Sequence, residues 1–113
     1  MATMRSVRSM ALSLPESTEQ DHHGMASFRV RGRIFATVPD PAHVRVMVDE
    51  PEVDAACAEA SASCEPLFWG RRLAGVVVEV RTVPTPLLRE LLAEAWRRKA
   101  PPALTRTLDG TGR

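Results

Sequence analysis

Several things are scarce in this chain, and each scarcity closes off a class of function. No apolar run approaches the ~20 residues of a membrane-spanning helix, so no span is expected. The N-terminus scatters arginines with no long apolar stretch behind them, which argues against a secretory leader and for a cytoplasmic protein. There are two cysteines, Cys57 and Cys64. No Cys-x-x-Cys or adjacent histidine completes a metal set around them, so they are expected to be free thiols. The six glycines are scattered, and none forms a loop able to cradle phosphates. No cofactor is expected. Neither a nucleophile with a base nor a carboxylate pair is set by spacing, and grouping Cys64, His22 and Glu65 into a site would be arbitrary. No catalytic residue and no enzyme activity are expected. Lysine is nearly missing: Lys99 stands alone among fifteen bases.

What is present is one domain's worth of chain. At 113 residues, with 44% hydrophobic and 26% charged content, it can bury a single core unaided. The net charge is +1 but unevenly placed. From Asp40 to Glu65 seven acids face Arg45 alone, while the remainder carries fourteen bases and seven acids. A chain so divided can present a basic face to an anion.

The central stretch is Ser27 to Val38, two apolar strands folded back at Gly32 with Arg29, Arg31 and Arg33 crowding the turn. Two registers compete. Gly32-Arg33 as a type II′ turn pairs Val30 with Phe35. A three-residue loop, Arg31 to Arg33, pairs Val30 with Ile34 and Phe28 with Ala36, and gives the cleaner apolar face. Upstream, Val7, Met10, Ala11 and Leu14 form a helical stripe that Pro15 ends. Glu16 to Gly24 is polar and aperiodic and predicts a loop. It holds His22 and His23, which are read as loop residues and not as metal ligands, because no third ligand is placed beside them. Pro39-Asp40-Pro41 predicts a turn, and Val44 to Val48 a third strand stopped by Glu50-Pro51. Glu52 to Ala62 predicts a short helix with acids in its first turn.

A second hairpin is expected around Trp69-Gly70-Arg71-Arg72, its first arm confined by Pro66 to an edge and its second running from Gly75 to Arg81. Thr85 as cap, Pro86, and the stripe Leu87, Leu88, Leu91, Leu92, Ala95 and Trp96 predict a helix closed by Pro101-Pro102. Residues 105–113 are expected to be a loose tail. The sum is an α+β domain: an antiparallel sheet with the N- and C-terminal helices packed on one face. The other face is open, and Arg29 and Trp69 rim it.

Together these segments resemble the MmcQ/YjbR family. The residues that carry the resemblance are Leu14-Pro15-Glu16-Ser17-Thr18-Glu19, His23-Gly24, Phe28-Arg29-Val30-Arg31-Gly32-Arg33-Ile34-Phe35-Ala36, Trp69-Gly70, and Leu91-Leu92 with Ala95-Trp96 and Ala100-Pro101. It covers nearly the whole chain, with a domain expected over residues 4–104. The resemblance implies a CyaY-like fold and DNA binding through a double wing of hairpins, with no established reaction or cofactor. Carried onto this chain, the wings place Arg31 and Arg33 at one tip and Arg71 and Arg72 at the other, with Arg29 beside them and Trp69 available to stack on a base. The chain departs from the family's usual pattern in three places. Leu73-Ala74-Gly75 stands where a Gly-Trp pair is common, Ser17 where Gly is frequent, and Met25-Ala26 where Lys-Pro is frequent. The alternative to weak, phosphate-led DNA binding is a non-catalytic module that holds a small anionic ligand or a protein partner on the open sheet face.

Overall fold

The hairpin at Gly32 is part of a six-stranded antiparallel sheet. The computed structural model describes residues 2–110. In chain order these form α1 (Met4–Leu12), β1 (Ser17–His22), β2 (Met25–Val30), β3 (Arg33–Asp40), β4 (His43–Val46), α2 (Glu50–Glu59), β5 (Cys64–Trp69), β6 (Arg72–Glu79), α3 (Thr85–Lys99) and α4 (Pro102–Gly110). The strands lie in the order β1-β2-β3-β4-β6-β5, with every neighbouring pair antiparallel. This is the α+β architecture expected from the sequence.

Three tight turns follow from local chemistry. His23-Gly24 and Arg31-Gly32 both place two consecutive residues at positive φ (52° and 85°, 51° and 79°), the type I′ form that suits the twist of a hairpin. Gly70, at φ 64°, opens a turn with Arg71 between Trp69 and Arg72, which are register partners. The tip of the β2–β3 hairpin therefore differs from both expected registers. Val30 pairs with Arg33 across a two-residue loop. The expected pairing of Phe28 with Ala36 holds further along, because Phe35 is an extra, bulged residue between the two registers. A bulge shifts register by one; it lets β3 supply Phe35 and Ala36 in succession to the core, both fully buried.

The stretch expected as a loop, Glu16 to Gly24, is mostly strand β1. An edge strand wet on most of its surface has no reason to alternate polar and apolar residues, so periodicity does not reveal it; four of its six side chains are exposed. The expected tail is also partly helical. Pro101-Pro102 ends α3, but proline is favoured at a first helical position, and Pro102 starts α4. Leu104 is buried, and Leu108, one turn later, packs against the core. Residues 111–113 of that expected tail lie outside the described residues. Likewise Glu50-Pro51, expected to stop a strand, begins α2 behind Asp49, and Thr85 sits inside the first turn of α3 with Pro84 at the cap position.

The helices cover one face of the sheet. α3 crosses β2, β3 and β4, α1 packs on α3 and β1, and α2 packs on β5 and β6. Between helices and sheet lie Phe28, Val30, Val44, Val46, Val76, Val78, Leu88, Leu92 and Trp96, each at most 1% exposed. The opposite face, carrying Arg29, Ile34, Thr37 and Arg45, has no helix on it. Among the described residues no helix is long and apolar enough to cross a membrane.

β4 and β6 approach closely at Gly75. A Cβ on Gly75 would run into the Val46 carbonyl oxygen and come within 3.1 Å of the Met47 Cα. Backbone has little freedom to retreat, so Gly75→Ala should destabilise the fold by about 3 kcal/mol, read as a lowered midpoint in urea unfolding. An unchanged midpoint would show that the end of β4 does not approach Gly75 this closely.

Candidate functional site

The shortness of β4 creates the site. Ala36 of β3 and Val76 of β6 both pair with Val46, so they stand level where β4 ends. Beyond that level both hairpins continue, β2–β3 to its tip at Arg31-Gly32 and β5–β6 to its tip at Gly70-Arg71. At about 3.3 Å per residue each projects roughly 13 Å or more past the end of β4. The two tips thus leave the sheet at the same end, with a gap between them.

The gap is a groove of about 730 Å³ that runs onto the uncovered sheet face. Arg29, Ile34, Thr37 and Arg45 form its floor on the β2–β4 side, and Trp69, Arg72, Leu73 and Ala74 form the other wall. Met47, Asp49, Arg98 and Lys99 close it where β4 stops. Arg98 fixes that end: its guanidinium donates to the Met47 carbonyl (2.8 Å) and pairs with Asp49 (2.9 Å). The Met47 N–H in turn donates to the carbonyl of the bulged Phe35 (3.0 Å).

Five cationic side chains line this groove against one carboxylate, Asp49. The effect shows at Lys99, whose pKa is lowered first by burial and then by Arg98, Arg33 and Arg72, with Asp49 opposing. Arg33 belongs to one hairpin and Arg72 to the other, so positive charge from both hairpins and from the end of α3 converges on one place. Such crowding favours an arriving anion, which relieves the repulsion.

The residues singled out from sequence divide into three groups. Arg29, Trp69 and Arg72 line the groove, and Arg33 acts on Lys99 beside it. Arg31, by contrast, is held by Glu16 through two hydrogen bonds of 2.5 and 3.0 Å. That contact raises the arginine's pKa and lowers the carboxylate's. Arg71 is exposed at its tip and does not line the groove. Sequence reasoning missed Arg45, Thr37, Arg98 and Lys99. Arg45 had a local signal, since alternation with the buried Val44 and Val46 turns it to the open face. Arg98 and Lys99 stand in the last turn of α3, where cations are favoured by the helix dipole alone and so carry no local signal of a site.

The remaining candidate reactive groups are not brought together, although His22 lines the groove. Cys57 and Cys64 are free. Burial pushes the Cys64 thiol up to about 11 and raises Cys57 as well, so neither is an activated thiolate. His22 lies on β1 and Cys64 on β5, the two opposite edges of the sheet. Among the described residues no three His, Cys, Asp or Glu side chains group to hold a metal ion.

A family model of the YjbR domain matches residues 12–98. The chain belongs to the YjbR family. Its fold is also that of a solved Deinococcus radiodurans protein, DR2400, which carries the domain DUF419. The two superpose with a TM-score of 0.76 at 24% identity, over 96% of this chain and 89% of that one. No curated protein matches. Within this YjbR domain, Leu73 and Ala74 both line the groove. The aromatic surface offered there is Trp69, 54% exposed at the groove's rim.

Proposed function

We propose that this YjbR protein binds nucleic acid through the groove between its two hairpins, by phosphate contacts from Arg29, Arg33, Arg45, Arg72 and Lys99. The observation that carries this reading is the convergence of cations from both hairpins and from the end of α3 around one concave, nearly acid-free surface. Guanidinium groups suit the task because they donate in a planar fork that matches phosphate. The reading moves the contact surface from the tips into the groove. Arg31 is engaged by Glu16 and Arg71 stands outside, so neither is a principal contact. The role proposed is binding and not catalysis.

The test is fluorescence anisotropy of a labelled oligonucleotide with the intact chain across a salt series. About five neutralised phosphates should lower affinity roughly 100-fold or more between about 50 and 200 mM salt. Absence of binding at low salt, or an affinity indifferent to salt, would contradict the proposal. The second outcome would point instead to a small anionic ligand held in the groove.

A further inference from the structure

We infer that the groove accepts a single strand, with one unpaired base stacked on Trp69, in preference to a duplex. This rests on the nucleic-acid reading above and narrows its substrate class.

Size is the first argument. A groove of about 730 Å³ falls within the roughly 300–1,000 Å³ of sites that enclose a small molecule. It has room for a nucleotide or two between the hairpins.

The exposed indole is the second. Trp69 is 54% exposed, although a large aromatic normally buries its surface. It lies beside Arg72 at the rim of a cationic groove. In a duplex the base faces are already stacked on each other, so a rim aromatic finds a free face only on an unpaired base.

The third observation is on the floor. Thr37 is only 5% exposed, and its Oγ1 has no hydrogen-bond partner. A buried hydroxyl in a native fold is ordinarily paired, and this one belongs to a residue that lines the groove, opposite Arg45 in the strand register. A hydroxyl, donor and acceptor at once, together with the flanking guanidinium groups of Arg29 and Arg45, suits the polar edge of a base. Phosphates on either side of that base would then meet Arg72 and Lys99.

The experiment compares a labelled oligothymidine strand with a duplex of the same length, using the full chain at low salt. The single strand should bind at least about ten-fold more tightly. Its binding should quench the fluorescence of Trp69, while buried Trp96 does not respond. Trp69→Ala should cost about ten-fold in single-strand affinity and clearly less, within about three-fold, in the weaker duplex binding; Trp69→Phe should restore most of the single-strand loss. Thr37→Val should lower single-strand affinity by about three-fold. Equal or tighter duplex binding, or an equal loss on both substrates in Trp69→Ala, overturns the single-strand inference and leaves the phosphate groove standing. No binding of either overturns both. The exposure of Trp69 means its variants should fold, which circular dichroism checks.

Discussion

Replacing Arg29, Arg45 and Arg72 together with alanine should lower nucleic-acid affinity by about 100-fold or more at low salt and flatten the salt dependence by about one unit of slope per arginine. The three come from β2, β4 and β6, so the effect tests the groove as a unit and not one loop. Two of them, Arg45 and Arg72, have no ion pair among the described residues, and Arg29 donates only to the Ser27 hydroxyl (3.1 Å). Their removal breaks no carboxylate pairing, and the thermal midpoint should stay near that of the parent. Net charge is the competing explanation. It is controlled by removing three exposed arginines of the helical layer, Arg5, Arg89 and Arg106. That variant has the same net charge and should retain affinity within about two-fold. Equal losses in both variants would mean that attraction is diffuse and the groove has no special part in it.

A second large effect is expected on stability. Trp96→Ala should destabilise the fold by about 4 kcal/mol, a large share of the roughly 5–15 kcal/mol that holds a domain together. Trp96 is fully buried, and its Nε1–H donates to the Pro15 carbonyl (3.0 Å) across 81 residues of sequence. The bond ties the long helix α3 to the link between α1 and β1. Truncation leaves a cavity in the hydrophobic core and takes the donor from that carbonyl. The midpoint should fall by roughly 15 °C or more. Trp96→Phe keeps most of the ring, and its loss should be about half as large. A midpoint lowered by only a few degrees in Trp96→Ala would show that the core relaxes into the space.

The contrast between what the chain disclosed and what it hid follows from range. The hairpin at Gly32, the strand arm confined by Pro66 to an edge, and the Leu-Leu…Ala-Trp helix are local patterns, and they appear where the residues put them. β1 was hidden because Ser17 to His22 is a wet edge strand held by pairing to β2, a long-range cause that leaves no periodicity. α4 was hidden behind Pro101-Pro102, although Leu104 and Leu108 at helical spacing were the available signal. The turn at Arg31-Gly32 escaped because the Phe35 bulge reconciles two registers that local rules treat as exclusive. At the groove, Arg29, Trp69 and Arg72 were legible from their hairpins. Arg98 and Lys99 were not, since their place depends on where α3 ends relative to a strand fifty residues earlier. The same kind of cause took Arg31 out of the groove: its partner Glu16 lies fifteen residues away in sequence, brought level with it where Ser17 pairs with Val30.

The most direct measurement is amide chemical-shift mapping by NMR as an oligonucleotide is titrated into the isotope-labelled chain at low salt. Shifts gathered on both hairpin ends, on Met47 to Asp49 and at the end of α3, with the outer faces of α1 and α4 unmoved, are the expected result. Shifts restricted to one hairpin, or centred on the helical layer, would contradict the claim that the space between the hairpins is where this protein meets its partner.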